Sequence, residues 1–234
     1  MVTNTQYLKN KRILITAGPT WAPIDEVRVI SNIATGKTGV LLAEKLQRLG
    51  ARVTLLFNGD SDLFSRNLGK EKIGRCPRIN KKIKLMQFKF FDELKSKIIK
   101  ELKSGQYDVV IHSAAVSDYR PLKIYAHKVK AGIKHWKLNL VPTEKIIDGF
   151  RKIDRSLFLA GFKFEPDADK GELIQSARAL IRRAGLNLAV ANTIKQGRYR
   201  AYIVTENKIR GPFSNRDYLA RGLIEELGEI PCKN

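Results

Sequence analysis

Asp25, Arg28, Ser31, Asn32, Thr35 and Lys37 stand together in the stretch Ile13 to Gly39, ILITAGPTWAPIDEVRVISNIATGKTG. Two cations, a carboxamide and several hydroxyls in so short a span suit the binding of an anion. Gly36 and Gly39 would let backbone approach a ligand closely. A helix opening there would aim unbonded N–H groups at it. Neither of two familiar phosphate-binding motifs is complete. Gly36-Lys37-Thr38 matches the second half of a P-loop, but the glycine required five positions earlier is Ser31. The dinucleotide fingerprint Gly-x-Gly-x-x-Gly is absent as well, because Gly18 is followed by Pro19 and Thr20. The plainer alternative is a tight turn without a ligand. Against it stands a strand-to-helix connection of about twenty residues, where two to six is usual.

The elements that must position these residues follow from apolar periodicity. Ile13, Leu14 and Ile15 form a short apolar run closed by Ala17-Gly18-Pro19-Thr20, as expected of a central parallel strand covered on both faces. Val40, Leu41, Leu42, Ala43, Leu46 and Leu49 recur at helical spacing up to Gly50. Further strands are expected at Val53–Phe57, Lys84–Phe90, Val109–His112, Leu157–Phe162, Leu188–Ala191 and Ala201–Val204. Helices are expected at Phe91–Lys103, from a Thr143 cap through Ile146, Ile147, Phe150 and Ile153, at Leu173–Ala184 and at Arg216–Leu227. Asp60–Asn80 reads as irregular. Ala126–Leu140, basic and partly alternating, reads as a β-hairpin flap within about 122–140. The alternation predicts an α/β fold: a doubly wound, mostly parallel, Rossmann-like sheet carrying a flap, as one domain over 1–234.

Of 234 residues, 43% are hydrophobic and 29% charged, ordinary values for a globular enzyme. No apolar run reaches the length of a membrane helix and the first residues are too polar for a secretory signal, so a cytoplasmic location is expected. Cys76 and Cys232 lie far apart without metal-ligand spacing and read as free thiols of a reducing compartment. The charge is less ordinary, with 44 Lys and Arg against 23 Asp and Glu, a net +21. Lys70, Lys72, Arg75, Arg78, Lys81, Lys82 and Lys84 supply a basic stretch. It lacks the interleaved aromatics on which bases stack, which favours a solvated surface over a nucleic-acid site. A dehydrogenase reading fails too. Tyr119 and Lys123 have the spacing of its catalytic pair, but Pro121 between them breaks the helix that chemistry needs.

The chain resembles the phosphopantothenate–cysteine ligases of coenzyme A biosynthesis. The matching residues are ITAGPT, Pro23-Ile24-Asp25-x-Val27-Arg28, Ser31-Asn32 with Gly36-Lys37 and Gly39, AAVSDYRP at Ala114–Pro121, and Lys128-Val129-Lys130. Val141-Pro142-Thr143, Gly161-Phe162 and Val190-Ala191-Asn192 also match. The set covers nearly the whole chain in order. The resemblance implies a ligase that activates 4′-phosphopantothenate with a nucleoside triphosphate, CTP or ATP, accompanied by Mg2+. An acyl-nucleotide intermediate would then react with L-cysteine. It also implies a homodimer, with any flavin-dependent decarboxylase as a separate polypeptide rather than a fused domain. Nucleic acid and membrane are not expected partners.

Roles are carried over position by position. Asn32 and Lys128 would be catalytic, Asn32 holding the acyl-nucleotide and the flap's Lys128 closing on the phosphates. Arg28, Asn32, Gly36 and Lys37 would bind substrate. Gly18, Ala114, Ala115, Asp118, Lys128, Pro142 and Phe162 would contact the nucleotide. Without the resemblance each has a plainer reading: a turn for Asn32 and Asp118, solvent for Arg28 and Lys128, core for Phe162. No metal ligand is legible, and His112, His127 and His135 take no role. Two departures concern the nucleotide. Lysines common in bacterial members are replaced by Leu180 and Ala184, leaving Arg182 and Arg183 as nearby substitutes, and a third flap lysine is Ala131. The remaining alternative is a basic α/β nucleic-acid-binding module without catalysis.

Overall fold

The structure is a computed structural model describing residues 5–58, 79–104 and 106–228. Lys70, Lys72, Arg75, Arg78, Cys76, Cys232 and most of the expected irregular segment lie outside the described residues.

The central strands are short apolar runs that find neighbours on both edges. β1 (Arg12–Ala17) pairs in parallel with β4 (Arg52–Phe57) on one side and β6 (Val109–His112) on the other. Beyond β4 lies β5 (Lys84–Gln87), and beyond β6 lie β9 (Phe158–Phe164) and β10 (Leu188–Lys195), all parallel. Antiparallel β11 (Arg198–Val204) and β12 (Ile209–Phe213) complete an eight-stranded sheet in the order β12-β11-β10-β9-β6-β1-β4-β5. The chain winds outward from β1 in one direction, through β4 and β5, then returns to β6 and winds the other way. The switch point lies between β1 and β6, where open α/β sheets form a ligand crevice beyond the strands' carboxyl ends.

Alternate residues of each strand serve opposite faces. Ile13, Ile15 and Ile111 enter one core with Val40, Leu42 and Leu46 of α1 (Lys37–Arg48) and Leu219 and Leu223 of α5 (Arg216–Gly228). Leu14, Val110 and Leu159 enter the other. There they meet Leu94 and Ile98 of α2 (Phe91–Ser104), Phe150 of the short α3 (Phe150–Ile153), and Leu173 and Ala177 of α4 (Lys170–Ala184). The doubly wound expectation holds.

Four details differ. The helix expected after Thr143 is broken into a 3-10 turn, Ile146–Gly149, running into α3, and Thr143 does not cap it. Its hydroxyl instead donates to the Ser117 carbonyl. α4 begins three residues earlier than its apolar stripe, because Asp169 and Glu172 form a reciprocal capping box. β12 was not expected. The flap is antiparallel only at its base, where β7 (Tyr119–Pro121) pairs with β8 (Leu140–Pro142), and 122–139 contains no strand. Charged residues and Gly132 interrupt the alternation there, and neither face has a core to bury against.

Candidate functional site

The connection from β1 to α1 is folded rather than loose. β2 (Trp21–Pro23) and β3 (Val29–Ser31) pair as a small antiparallel hairpin. Its tip is a turn stitched by Asp25, whose Oδ1 accepts N–H bonds from Val27 at 3.0 Å and Arg28 at 2.9 Å. The base of the hairpin delivers Asn32, and the chain then enters α1 through Gly36. Gly36 has φ of 68°, and a Cβ there would sit 2.6 Å from the Phe57 ring and 2.9 Å from the Gly18 nitrogen. Glycine is therefore required for both conformation and space. The result places the opening of α1 against the ends of β1 and β4.

Across the switch point, the chain leaving β6 lies alongside the chain leaving β1. Ala115 N–H donates to the Gly18 carbonyl at 3.0 Å, and Thr20 N–H donates to the Ala115 carbonyl at 3.2 Å. Ser117 N–H reaches the Thr20 hydroxyl at 2.8 Å, and the Ser113 hydroxyl reaches the Thr16 carbonyl at 2.7 Å. Buried Asn58 adds a 2.7 Å bond to the Pro19 carbonyl. Asn32 closes this frame: its Nδ2 donates to the carbonyls of Ala115 at 3.2 Å and Val116 at 3.3 Å. Gly18, Asn32, Gly36, Ala114 and Ala115 thus come together in one crevice.

The remaining sites are distributed around it. Asp118 is exposed and ion-paired with Lys145, and its carbonyl accepts the Thr143 N–H. Pro142 faces Tyr119 at the base of the flap. Phe162 is half-buried in β9 on the α1 face. Lys37 is half-buried in the first turn of α1, and its N–H donates to the Thr35 hydroxyl at 3.4 Å.

Arg28 and Lys128 belong to the flap's attachment. Arg28 donates to the Val129 carbonyl at 2.6 Å, sits 3.6 Å from Asp25 and lies over Trp136, 4.9 Å from the ring centre. Lys128 N–H donates to Glu26 at 3.1 Å, while its exposed ammonium has no ion-pair partner among the described residues. Lys128 is thus held at the tip of the hairpin and Asn32 at its base, about 10 Å of strand apart.

Two titratable groups show environmental control. Burial acts to raise the pKa of Asp25, but the N–H groups of Val129, Val27 and Arg28 and the Arg28 charge outweigh it, so the carboxyl stays below its ordinary value. Burial drives His112 down to about 4, so it is neutral at pH 7. Its Nδ1 lies 2.8 Å from the Thr16 hydroxyl, which also accepts the Ala114 N–H at 3.3 Å. His112 therefore supports the crevice floor from below.

Leu180 and Ala184 are placed by the packing of α4. Both face the core, 7% and 4% exposed, on a helix that begins at the carboxyl edge and ends near the start of β10, at the opposite edge. Their apolar character is set by packing. Arg182 and Arg183 lie on that last turn, and Arg183 pairs with Asp148 at 3.1 Å. Thr16, Thr20, Asn58, Ser117 and Lys145 are site residues that the sequence reading does not single out. Thr16, Thr20 and Ser117 lie inside the quoted motifs, but only the pairing of β1 with β6 reveals their function as framework. No group of three or more His, Cys, Asp or Glu among the described residues could hold a metal ion. A separate open cavity of about 510 Å³, lined by Arg198, Tyr199, Arg200 and Arg216, is separated from the crevice by β9 and β10.

Comparison with known proteins decides the family. Residues 8–227 match the sequence model of the DNA/pantothenate metabolism flavoprotein C-terminal domain. The chain belongs to this family. The Coenzyme A biosynthesis bifunctional protein CoaBC of Thermococcus kodakarensis is 39% identical over 189 residues, covering 80% of this chain and 42% of that protein. The chain spans about half the length of the curated CoaBC relatives it matches. Among solved structures, the DNA/pantothenate metabolism flavoprotein of Streptococcus pneumoniae has a TM-score of 0.76 at 24% identity, covering 93% of this chain and 98% of that one. A Cab2 mutant in complex with phosphopantothenate-cysteine has a TM-score of 0.72 at 18% identity, covering 96% and 91%. Both show the same fold. The resemblance to phosphopantothenate–cysteine ligases is thereby borne out at the level of family.

Proposed function

We propose that the chain is a phosphopantothenate–cysteine ligase, joining 4′-phosphopantothenate to L-cysteine at the expense of CTP or ATP. The observation that carries this reading is Asn32 spanning the switch-point crevice to the carbonyls of Ala115 and Val116. It stands in a family whose relatives are named for coenzyme A biosynthesis, and whose fold is shared by a protein complexed with phosphopantothenate-cysteine.

In the first step a carboxylate oxygen of phosphopantothenate attacks the α-phosphorus, and the bond to the β-phosphate bridge breaks to release pyrophosphate. In the second, the cysteine amine attacks the acyl carbon. The carbon–oxygen bond breaks, the nucleoside monophosphate leaves and the amine sheds its proton. Both steps concentrate negative charge on phosphoryl and acyl oxygens, and fixed donors and cations aimed at those oxygens lower the barrier. Lys128 supplies a cation on the flap. The N–H groups opening α1, with Gly18 and Gly36 giving close approach, suit a phosphate. Both N–H groups of Asn32 are engaged with main-chain carbonyls, so it must release one of them to hold an acyl oxygen. Asp118 and Lys145 stand at the crevice mouth for the nucleotide. The described residues form no cage for Mg2+, so a metal accompanying the triphosphate would be held by phosphates and water. A homodimer completes the proposal.

The test is pyrophosphate release with phosphopantothenate, cysteine and magnesium, offering CTP and ATP separately. Release that requires phosphopantothenate and disappears in Lys128→Gln supports the ligase. A folded protein silent with both nucleotides contradicts it.

A further inference from the structure

We infer that Asp25 is a positioning residue for the flap: one buried carboxylate clamps the turn of the β2–β3 hairpin to the backbone beside Lys128. The inference rests on the ligase reading only for what Lys128 does, not for the clamp itself.

The geometry divides the carboxylate into two jobs. Oδ1 accepts the N–H groups of Val27 and Arg28, closing its own turn. Oδ2 faces the other way, accepting the Val129 N–H at 3.1 Å and lying 3.6 Å from Arg28 Nε. Asp25 is 4% exposed, so all of this takes place out of water, where an ionised acceptor bonds strongly to N–H donors. Five further contacts converge on the same junction. Arg28 reaches the Val129 carbonyl, Glu26 accepts the Lys128 N–H, and Tyr125 N–H donates to the Ile24 carbonyl at 2.9 Å. Trp136 stacks edge-on to Tyr125, with ring centres 6.0 Å apart, and also receives the Arg28 guanidinium.

The flap has no regular ladder between 122 and 139, so little besides these contacts fixes where Lys128 stands. The hairpin that grips the flap also carries Asn32 at its base. A single element therefore sets both catalytic candidates in one frame, and Asp25 is the joint. A buried aspartate in a turn would ordinarily be explained by its own two turn bonds. The second oxygen, bonded to a segment 104 positions away, is what that explanation leaves over.

Asp25→Asn separates the two jobs. The amide oxygen can still close the turn, while the amide nitrogen presents a donor to the Val129 N–H and to Arg28. The flap is read by limited trypsin digestion after Lys128 and Lys130, folding by circular dichroism and thermal melting, and turnover by pyrophosphate release. The clamp predicts a folded variant whose flap is cut roughly tenfold faster, with kcat reduced by a similar factor and KM for phosphopantothenate changed less than about twofold. Glu26→Ala removes only the exposed bond to Lys128 N–H and should loosen the flap in the same direction by a smaller factor. It supplies the test if Asp25→Asn does not fold. Flap protection equal to the wild type in a folded Asp25→Asn, or in Glu26→Ala where that variant replaces it, overturns the clamp. A loosened flap with unchanged turnover leaves the clamp standing and overturns the role given to Lys128.

Discussion

Lys128 and Asn32 carry different kinds of weight, and substitution should separate them. The Lys128 ammonium is exposed and makes no ion pair among the described residues, so Lys128→Gln should leave the melting temperature unchanged. Pyrophosphate release should fall by about a hundredfold or more, the scale for losing a group that stabilises developing charge. His112 makes a prediction about stability instead. Its folded pKa of about 4 lies below its ordinary 6.5, so the unfolded chain binds the extra proton between those values. Its neutral burial contributes fully above pH 6.5 and is lost as pH falls to about 4, roughly 3 kcal/mol in all. Urea titrations across that range should show a shallower pH dependence in His112→Asn than in the wild type. Equal slopes would mean another group dominates.

At the scale of elements, the two helices beside the crevice are fixed by packing that sequence types only hint at. Gly39 of α1 would carry a Cβ 2.4 Å from that of Ala17, so Gly39→Ala should destabilise by about 1–3 kcal/mol in a urea titration. In α4, Leu180→Lys should destabilise by at least about 2 kcal/mol, since the side chain faces the sheet. A gain in nucleotide affinity without loss of stability would place that position back among phosphate ligands. Strands such as Val109–His112 and Arg52–Phe57 were legible because buried parallel strands read as unbroken apolar runs. The early start of α4 is legible in Asp169 and Glu172, whose spacing is that of a capping box. The flap was not. Its shape comes from tertiary anchors at Asp25, Glu26 and Arg28, about a hundred positions away, which no local pattern encodes. The crevice residues themselves were recognisable from motif order, while the function of Thr16, Thr20 and Ser117 as framework needed the β1–β6 pairing.

At the scale of the molecule, the switch point explains why two long connections meet, one leaving β1 and one leaving β6. β1 and β6 diverge there, and the chain fills the gap with the residues that carry the family resemblance. The net charge of +21 supports a different activity only if it binds nucleic acid independently of the crevice. The ligase account predicts no specific RNA binding. Any affinity for random-sequence RNA should be micromolar or weaker and fall steeply with salt. Tight binding unaffected by Asn32→Ala would favour the basic module. No helix among the described residues is long and apolar enough to cross a membrane.

The most direct measurement follows an oxygen atom. Phosphopantothenate labelled with heavy oxygen in its carboxylate is incubated with cysteine, magnesium and either CTP or ATP, and the products are weighed by mass spectrometry. Activation through an acyl-nucleotide predicts one labelled oxygen in the nucleoside monophosphate, unlabelled pyrophosphate and the cysteine amide of phosphopantothenate. Label in inorganic phosphate with release of nucleoside diphosphate, or no amide with either nucleotide, would contradict it.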